Sequence, residues 1–200
     1  MKIYFNASIA GRKEYLKEFK LITNFLLSLD HQVYSAHVFN REIKEINAQT
    51  RTQHEADYQK ARNEIQSSDV MIVEGTYPSI GVGHMITVAI ELHKSVLILY
   101  QNEPHGLLIG DPSRLLFLKK YSPKNVAELK KTILDFLENS KKRLLNKRFN
   151  LMIDETEENY LDWISKKKNI SRADYIRQLI DFDLEKNNDH ENFYENERSR

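Results

Sequence analysis

Six consecutive residues, Pro78-Ser79-Ile80-Gly81-Val82-Gly83, carry the clearest chemical signal in the chain. They follow the apolar run Val70-Met71-Ile72-Val73-Glu74 and precede a helical pattern, so they read as a strand-to-helix loop. Two glycines let the main chain approach a ligand closely, and Ser79 adds a hydroxyl. The free N–H groups and partial positive charge at the start of the next helix favour an anion. Ser8, Gly11 and Arg12 follow the first apolar run and can face the same cleft. Phosphate binding is the chemistry this predicts. A tight turn with no ligand is the plain alternative, because short glycine-containing loops are weak signals.

A second constellation lies further along. In Arg148-Phe149-Asn150-Leu151-Met152-Ile153, apolar Phe149, Leu151 and Ile153 alternate with Arg148, Asn150 and Met152, a strand pattern with two faces. Asp154 with Glu157, and Ser171 with Asp174, each place an acid three positions after a capping residue. Two helices are therefore predicted, the first ending near Asn169 and the second carrying Tyr175, Ile176, Leu179 and Ile180. A unit of about 40 residues has too little core to stand alone, and pairing with its own copy is one solution. Just before it, Lys141 to Arg148 holds five basic residues and no acid.

Composition bounds the rest. The 200 residues carry 30 basic and 29 acidic side chains, a net charge of +1, which excludes a generally polybasic nucleic-acid binder but not a local basic patch. There are no cysteines, so disulfides, thiolate nucleophiles, iron–sulfur clusters and thiolate zinc sites are excluded together. The seven histidines show no metal-ligand spacing on one helix face, and no metal or cofactor is expected. Apolar runs such as Val96 to Tyr100 fall far short of the ~20 residues that span a bilayer. With no signal-peptide pattern at the first residues, the chain reads as cytoplasmic, with no membrane partner.

Strands are predicted at Lys2 to Phe5, Gln32 to Val38, Val70 to Glu74, Val96 to Tyr100 and Leu115 to Leu118. Helices are predicted at Lys13 to Leu29, Thr52 to Ser67, His84 to His93 and Asn125 to about Leu145. This alternation predicts an α/β fold with a doubly wound parallel sheet, whose ligands sit at the carboxyl ends of the strands. The expected organisation is residues 1–140 for this domain, 141–147 for a basic linker, 148–186 for the small module and 187–200 for a disordered tail.

The strings Ile3-Tyr4-Phe5-Asn6-Ala7-Ser8-Ile9, His37-Val38, Asp69 to Thr76 and Pro78 to Gly83 resemble the nucleoside 2-deoxyribosyltransferase family over residues 1 to about 140. The most similar branch is the 2'-deoxynucleoside 5'-monophosphate N-glycosidases. The resemblance implies a flavodoxin-like sheet, homodimeric packing and a cleft for a nucleoside 5'-monophosphate or a related phosphorylated metabolite. It places Ser8, Gly11, Arg12, Ser79 and Gly81 around the 5'-phosphate, with His37, Gly83 and Met85 also at the ligand. The family's carboxylate nucleophile falls two residues after the second glycine, where this chain has Met85, and a thioether cannot do that work. A second family carboxylate, eight residues before Asp69, falls on Ala61, with Asp57 one helical turn earlier and Glu64 nearly one turn later. Tyr4, which would support the nucleophile, is present, and Ala7 stands where the family usually has glycine. Glu74 is expected to line the site or contact the ribose, with a substitute nucleophile as its other reading.

Residues 147–186 resemble the ribbon–helix–helix repressors. That likeness implies double-stranded DNA as partner, with Arg148, Asn150 and Met152 facing base edges and Ser171 and Arg172 on the phosphate backbone. The leading expectation is a nucleotide-sensing, DNA-binding transcriptional regulator built on a catalytically degenerate domain, a homodimer or larger. The alternative is an active nucleoside 5'-monophosphate N-glycosidase or deoxyribosyltransferase with a displaced carboxylate, using Glu74, Asp57 and Tyr4. A third reading is pure assembly through both modules.

Overall fold

Apolar runs with no alternation suit strands covered on both faces, and they form the middle of the sheet here. The structure, a computed structural model, describes residues 1–102, 113–143, 149–168 and 170–187. The chain divides into two units, Met1–Leu145 and Asn146–Arg200.

The first unit runs β1 (Lys2–Ala7), α1 (Arg12–Ser28), β2 (Gln32–Tyr34), α2 (Ala36–Phe39), α3 (Ile43–Asn47), α4 (Arg51–Ser67), β3 (Val70–Glu74), α5 (Ile80–Glu91), β4 (Ser95–Tyr100), β5 (Leu116–Lys120) and α6 (Val126–Arg143). Every strand pair is parallel. The order β2-β1-β3-β4-β5 is that of flavodoxin-like doubly wound folds. Ile3, Phe5, Val70, Ile72, Leu97 and Leu99 pack on one face against Phe19, Ile22 and Leu26 of α1 and Leu129 and Ile133 of α6. Tyr4, Met71, Val73, Val96 and Ile98 pack on the other against Ile65 of α4 and Val82, Ile86 and Ala89 of α5.

Two local expectations change. The second strand stops at Tyr34, and Ala36–Phe39 is helical. The Arg12 guanidinium donates to the carbonyls of Val38 (3.0 Å) and Phe39 (2.8 Å), taking acceptors that a longer strand would have used. The helix after Pro78 starts at Ile80 rather than His84, because the Ser79 hydroxyl accepts the Val82 N–H and caps it. Gly81 and Gly83 therefore lie in the first turn of α5, and neither has a positive φ.

Gly11, next to the start of α1, is required for space. A Cβ there would lie 2.5 Å from Cβ of Tyr77 and 2.7 Å from its Cγ, close to the main chain of the neighbouring loop. Gly11→Ala is expected to cost about 1–3 kcal/mol, the usual range for overpacking, read as a lower urea midpoint with unchanged slope.

In the second unit, α7 (Glu155–Lys168) and α8 (Arg172–Lys186) form with the predicted caps. The Asp154 carboxylate accepts the Glu157 N–H at 2.8 Å and the Glu157 carboxylate accepts the Asp154 N–H at 3.0 Å. Their shared core consists of Leu161, Ile164 and Tyr175, with Ile170 and Ile176 packed against it. The expected ribbon strand is not found: residues 149–154 form no strand, and Asn150 and Met152 sit exposed in irregular chain. Arg148, the end of the basic run and the tail from residue 188 lie outside the described residues. Among the described residues no helix is long and apolar enough to cross a membrane.

Candidate active site

A cleft of about 610 Å³ opens beside the carboxyl ends of β1 and β3, on the face of the sheet that carries Tyr4. Three segments build its walls. Tyr4, Asn6, Ala7 and Ser8 come from β1 and the turn after it. Ser79, Gly81, Val82 and Met85 come from the start of α5, where unpaired N–H groups favour an anion. Asp57, Lys60, Ala61 and Glu64 come from one face of α4, at helical spacing.

His37 completes the wall from α2. Its ring stacks on Tyr4, with centroids 4.8 Å apart and planes 10° apart. The Asn6 Oδ1 already accepts the Ala7 N–H at 3.0 Å, so its identity as oxygen is fixed. The His37 Nε2 at 3.3 Å must then be the donor to it, which leaves Nδ1 as an acceptor, buried and unbonded. Burial, helped by the Arg41 and Lys60 charges, pushes the His37 pKa down to about 4. The imidazole is neutral at pH 7. Burial also raises the Tyr4 phenol above its ordinary range, and the Glu64 charge adds to it.

The two α4 carboxylates that line the cleft differ. Asp57 bonds Arg41 Nη1 at 2.7 Å and accepts the Gln49 side-chain N–H at 2.7 Å. Burial acts to raise its pKa, but these two partners outweigh it and hold the carboxyl below the ordinary range. The Glu64 carboxylate makes no hydrogen bond or ion pair among the described residues, while the Glu64 backbone carbonyl accepts the Ser67 and Ser68 hydroxyls.

Several expected site residues lie elsewhere. Gly11, Arg12 and Gly83 do not line the cleft. The Arg12 guanidinium is held by the two carbonyls of α2 and an ion pair with Glu42, so it braces the cleft wall from behind. The Ser8 hydroxyl accepts the Gly11 N–H at 3.4 Å.

Glu74 is a clearer departure. Counting alternate residues from Val70 and Ile72 puts it on the opposite face of the sheet from Tyr4 and Asn6. There it accepts hydrogen bonds from the Thr76 hydroxyl and, at 3.0 Å, from the Tyr121 hydroxyl. Burial raises its pKa, against the pull of those two donors. A carboxyl whose folded pKa is raised favours folding below its unfolded pKa, and that contribution is lost as pH rises through the folded pKa. Glu74→Gln keeps an acceptor for both hydroxyls and removes the buried charge. It is expected to raise the thermal midpoint at pH 7 and leave catalysis unchanged. A matching loss of turnover would restore Glu74 to the site.

In the second unit, the groups expected on a phosphate backbone are already engaged. Arg172 pairs with Asp162 and with Glu158 (3.3 Å), and the Ser171 hydroxyl accepts the Asp174 N–H at 3.0 Å.

Asn6, Arg41 and Lys60 were not singled out from sequence as site residues. Only Lys60 had a usable signal: 57, 60–61 and 64 recur every three to four positions, as one helix face must.

No protein-family model matches the chain. Curated relatives do. A protein of Methanosarcina barkeri that carries the name 2'-deoxynucleoside 5'-phosphate N-hydrolase 1 is 31% identical over 138 residues, covering 68% of this chain and 84% of the relative. A protein of Nematostella vectensis with the same name is 32% identical over 133 residues, covering 64% and 90%. A solved CMP N-glycosidase of Clostridium botulinum, BcmB, aligns with a TM-score of 0.43 at 16% identity, covering 66% of this chain and 98% of that one. The sequence relatives overturn the expectation of a DNA-binding regulator built on an inert domain. They are named as hydrolases over the part of the chain that holds the cleft.

Proposed function

This chain belongs to the 2'-deoxynucleoside 5'-phosphate N-hydrolase family, and on that premise we propose that it hydrolyses the N-glycosidic bond of a nucleoside 5'-monophosphate. The products are the free base and the sugar 5-phosphate. The observation that carries this reading is the pairing of two features in one cleft: a capped helix start at Ser79 and Gly81, and acidic side chains from α4. The helix start suits a phosphate, with Ser8 alongside. The acidic groups suit a reacting anomeric carbon, because glycosidic cleavage proceeds through an oxocarbenium-like state that a carboxylate stabilises. His37 Nδ1 offers an acceptor to a sugar hydroxyl or a base amine. Met85 supplies no oxygen at its end of the cleft, so the carboxylate work falls to α4.

The test is direct. Purified protein is incubated with the common ribo- and deoxynucleoside 5'-monophosphates, and free base is followed by chromatography. Base release in proportion to enzyme, from monophosphates and not from the corresponding nucleosides, is the expected result. No release from any of them sinks the reading.

We also infer that the second unit pairs with a copy of itself. Leu179, Ile180 and Phe182 stand exposed on α8 beside a core that, among the described residues, has three buried side chains, too few to hold such a unit alone. Sedimentation should give a dimer or larger for the full chain and a smaller species for Phe182→Glu. One copy in both samples rules this out.

A further inference from the structure

We propose that Glu64 is the catalytic carboxylate of this cleft, acting as general base to the water that attacks the anomeric carbon. The inference rests on the N-hydrolase reading and adds to it the residue that does the chemistry. Three observations carry it. The carboxylates that line the cleft among the described residues are Asp57 and Glu64. Asp57 holds both Arg41 and Gln49 on one oxygen, Oδ2, and these partners keep its carboxyl below the ordinary range, which makes it the weaker base. Glu64 has no such ties and stands near enough to Tyr4 for its charge to act on the phenol. Burial keeps the phenol protonated, so it adds no second negative charge beside Glu64.

In the step itself, the water oxygen bonds to C1' while its proton passes to Glu64. The C1'–N bond breaks, and its electron pair leaves on the base nitrogen, which takes a proton from solvent. Glu64 then returns its proton to solvent. No covalent sugar–protein bond forms, in keeping with a thioether at residue 85 and a carboxylate at Glu64 lining the same cleft.

The experiment compares the native chain with Glu64→Gln, Glu64→Ala and Asp57→Asn on whichever nucleoside monophosphate the native chain cleaves fastest. Glu64→Gln should lower kcat by about 10²- to 10⁴-fold, the usual contribution of a general base, with KM and thermal midpoint close to native. Sodium formate should restore part of the activity of Glu64→Ala by placing a small carboxylate in the vacated space. A purely structural role for Glu64 would not give that rescue. Asp57→Asn should lose less and should not respond to formate. If Glu64→Gln keeps more than a tenth of native kcat, or formate rescues Asp57→Asn instead, the assignment is wrong. If the native chain cleaves no nucleotide, the N-hydrolase reading falls, and the role of Glu64 falls with it.

Discussion

Phe5→Ala is expected to remove about 3–5 kcal/mol of folding stability, the range seen when a buried aromatic is truncated and its neighbours cannot close the space. Phe5 is fully buried in β1, which pairs with strands on both sides. Its ring meets Phe19 of α1 edge-on at 6.1 Å and stacks near Phe39 of α2 at 6.4 Å. The strand cannot move in without breaking its ladders, so a cavity remains. The substitution also reaches the cleft, because α2 carries His37 and is held partly by the Phe5–Phe39 contact. Urea unfolding should show the lower midpoint, and nucleotide cleavage should weaken under conditions where the variant is still folded. Phe5→Leu fills most of the space and should lose less of both. A loss under about 1 kcal/mol for Phe5→Ala would mean that the sheet edge and α2 are free to collapse.

Acid should destabilise the fold through His37. The unfolded imidazole takes up its proton near pH 6.5, but the buried one does so only near pH 4. Between those values the unfolded chain holds more protons, so stability is full above pH 6.5 and is lost as pH falls toward 4. The difference corresponds to about 3 kcal/mol at the acid end of the window. Two cations, Arg41 and Lys60, add to the cost of charging the ring. Glu74 titrates in the opposite sense, so the informative quantity is the difference between native protein and His37→Gln across the same pH series. The variant should lose the extra acid sensitivity between pH 6.5 and 4. Parallel stability curves for the two proteins would show that His37 is not the group responsible.

The central sheet was legible because its signal is local. Val70 to Val73 and Val96 to Tyr100 are unbroken apolar runs of the length that suits a strand covered on both faces. The second strand was overestimated because its end is set by Arg12, more than twenty residues earlier in the chain. Ser79 and Gly81 were readable from spacing, although the helix begins earlier than the glycines suggested. Glu74 was misplaced for a nonlocal reason. Its face depends on the register Ile3 with Val70 and Ala7 with Glu74, which no single-strand pattern reveals. The same holds for the α4 carboxylates. Their positions follow from helical spacing, but which one is occupied depends on Arg41 and Gln49 from separate elements. At residues 149–153 the alternation is present in the sequence, yet a strand needs a neighbour to bond, and none of the described residues supplies one.

The way α4 is anchored bears on how this cleft can change its chemistry. Across seventeen residues the helix fully buries a single side chain, Ile65, with Tyr58 and Ala61 packed partly against the same core. Exchanges at positions 57 and 64 therefore alter what a ligand meets without disturbing what the sheet rests on. A reactive acid can migrate by a turn along such a helix through ordinary point mutations, each passing through a folded ancestor. In this lineage the scaffold would outlast any one arrangement of its reacting groups.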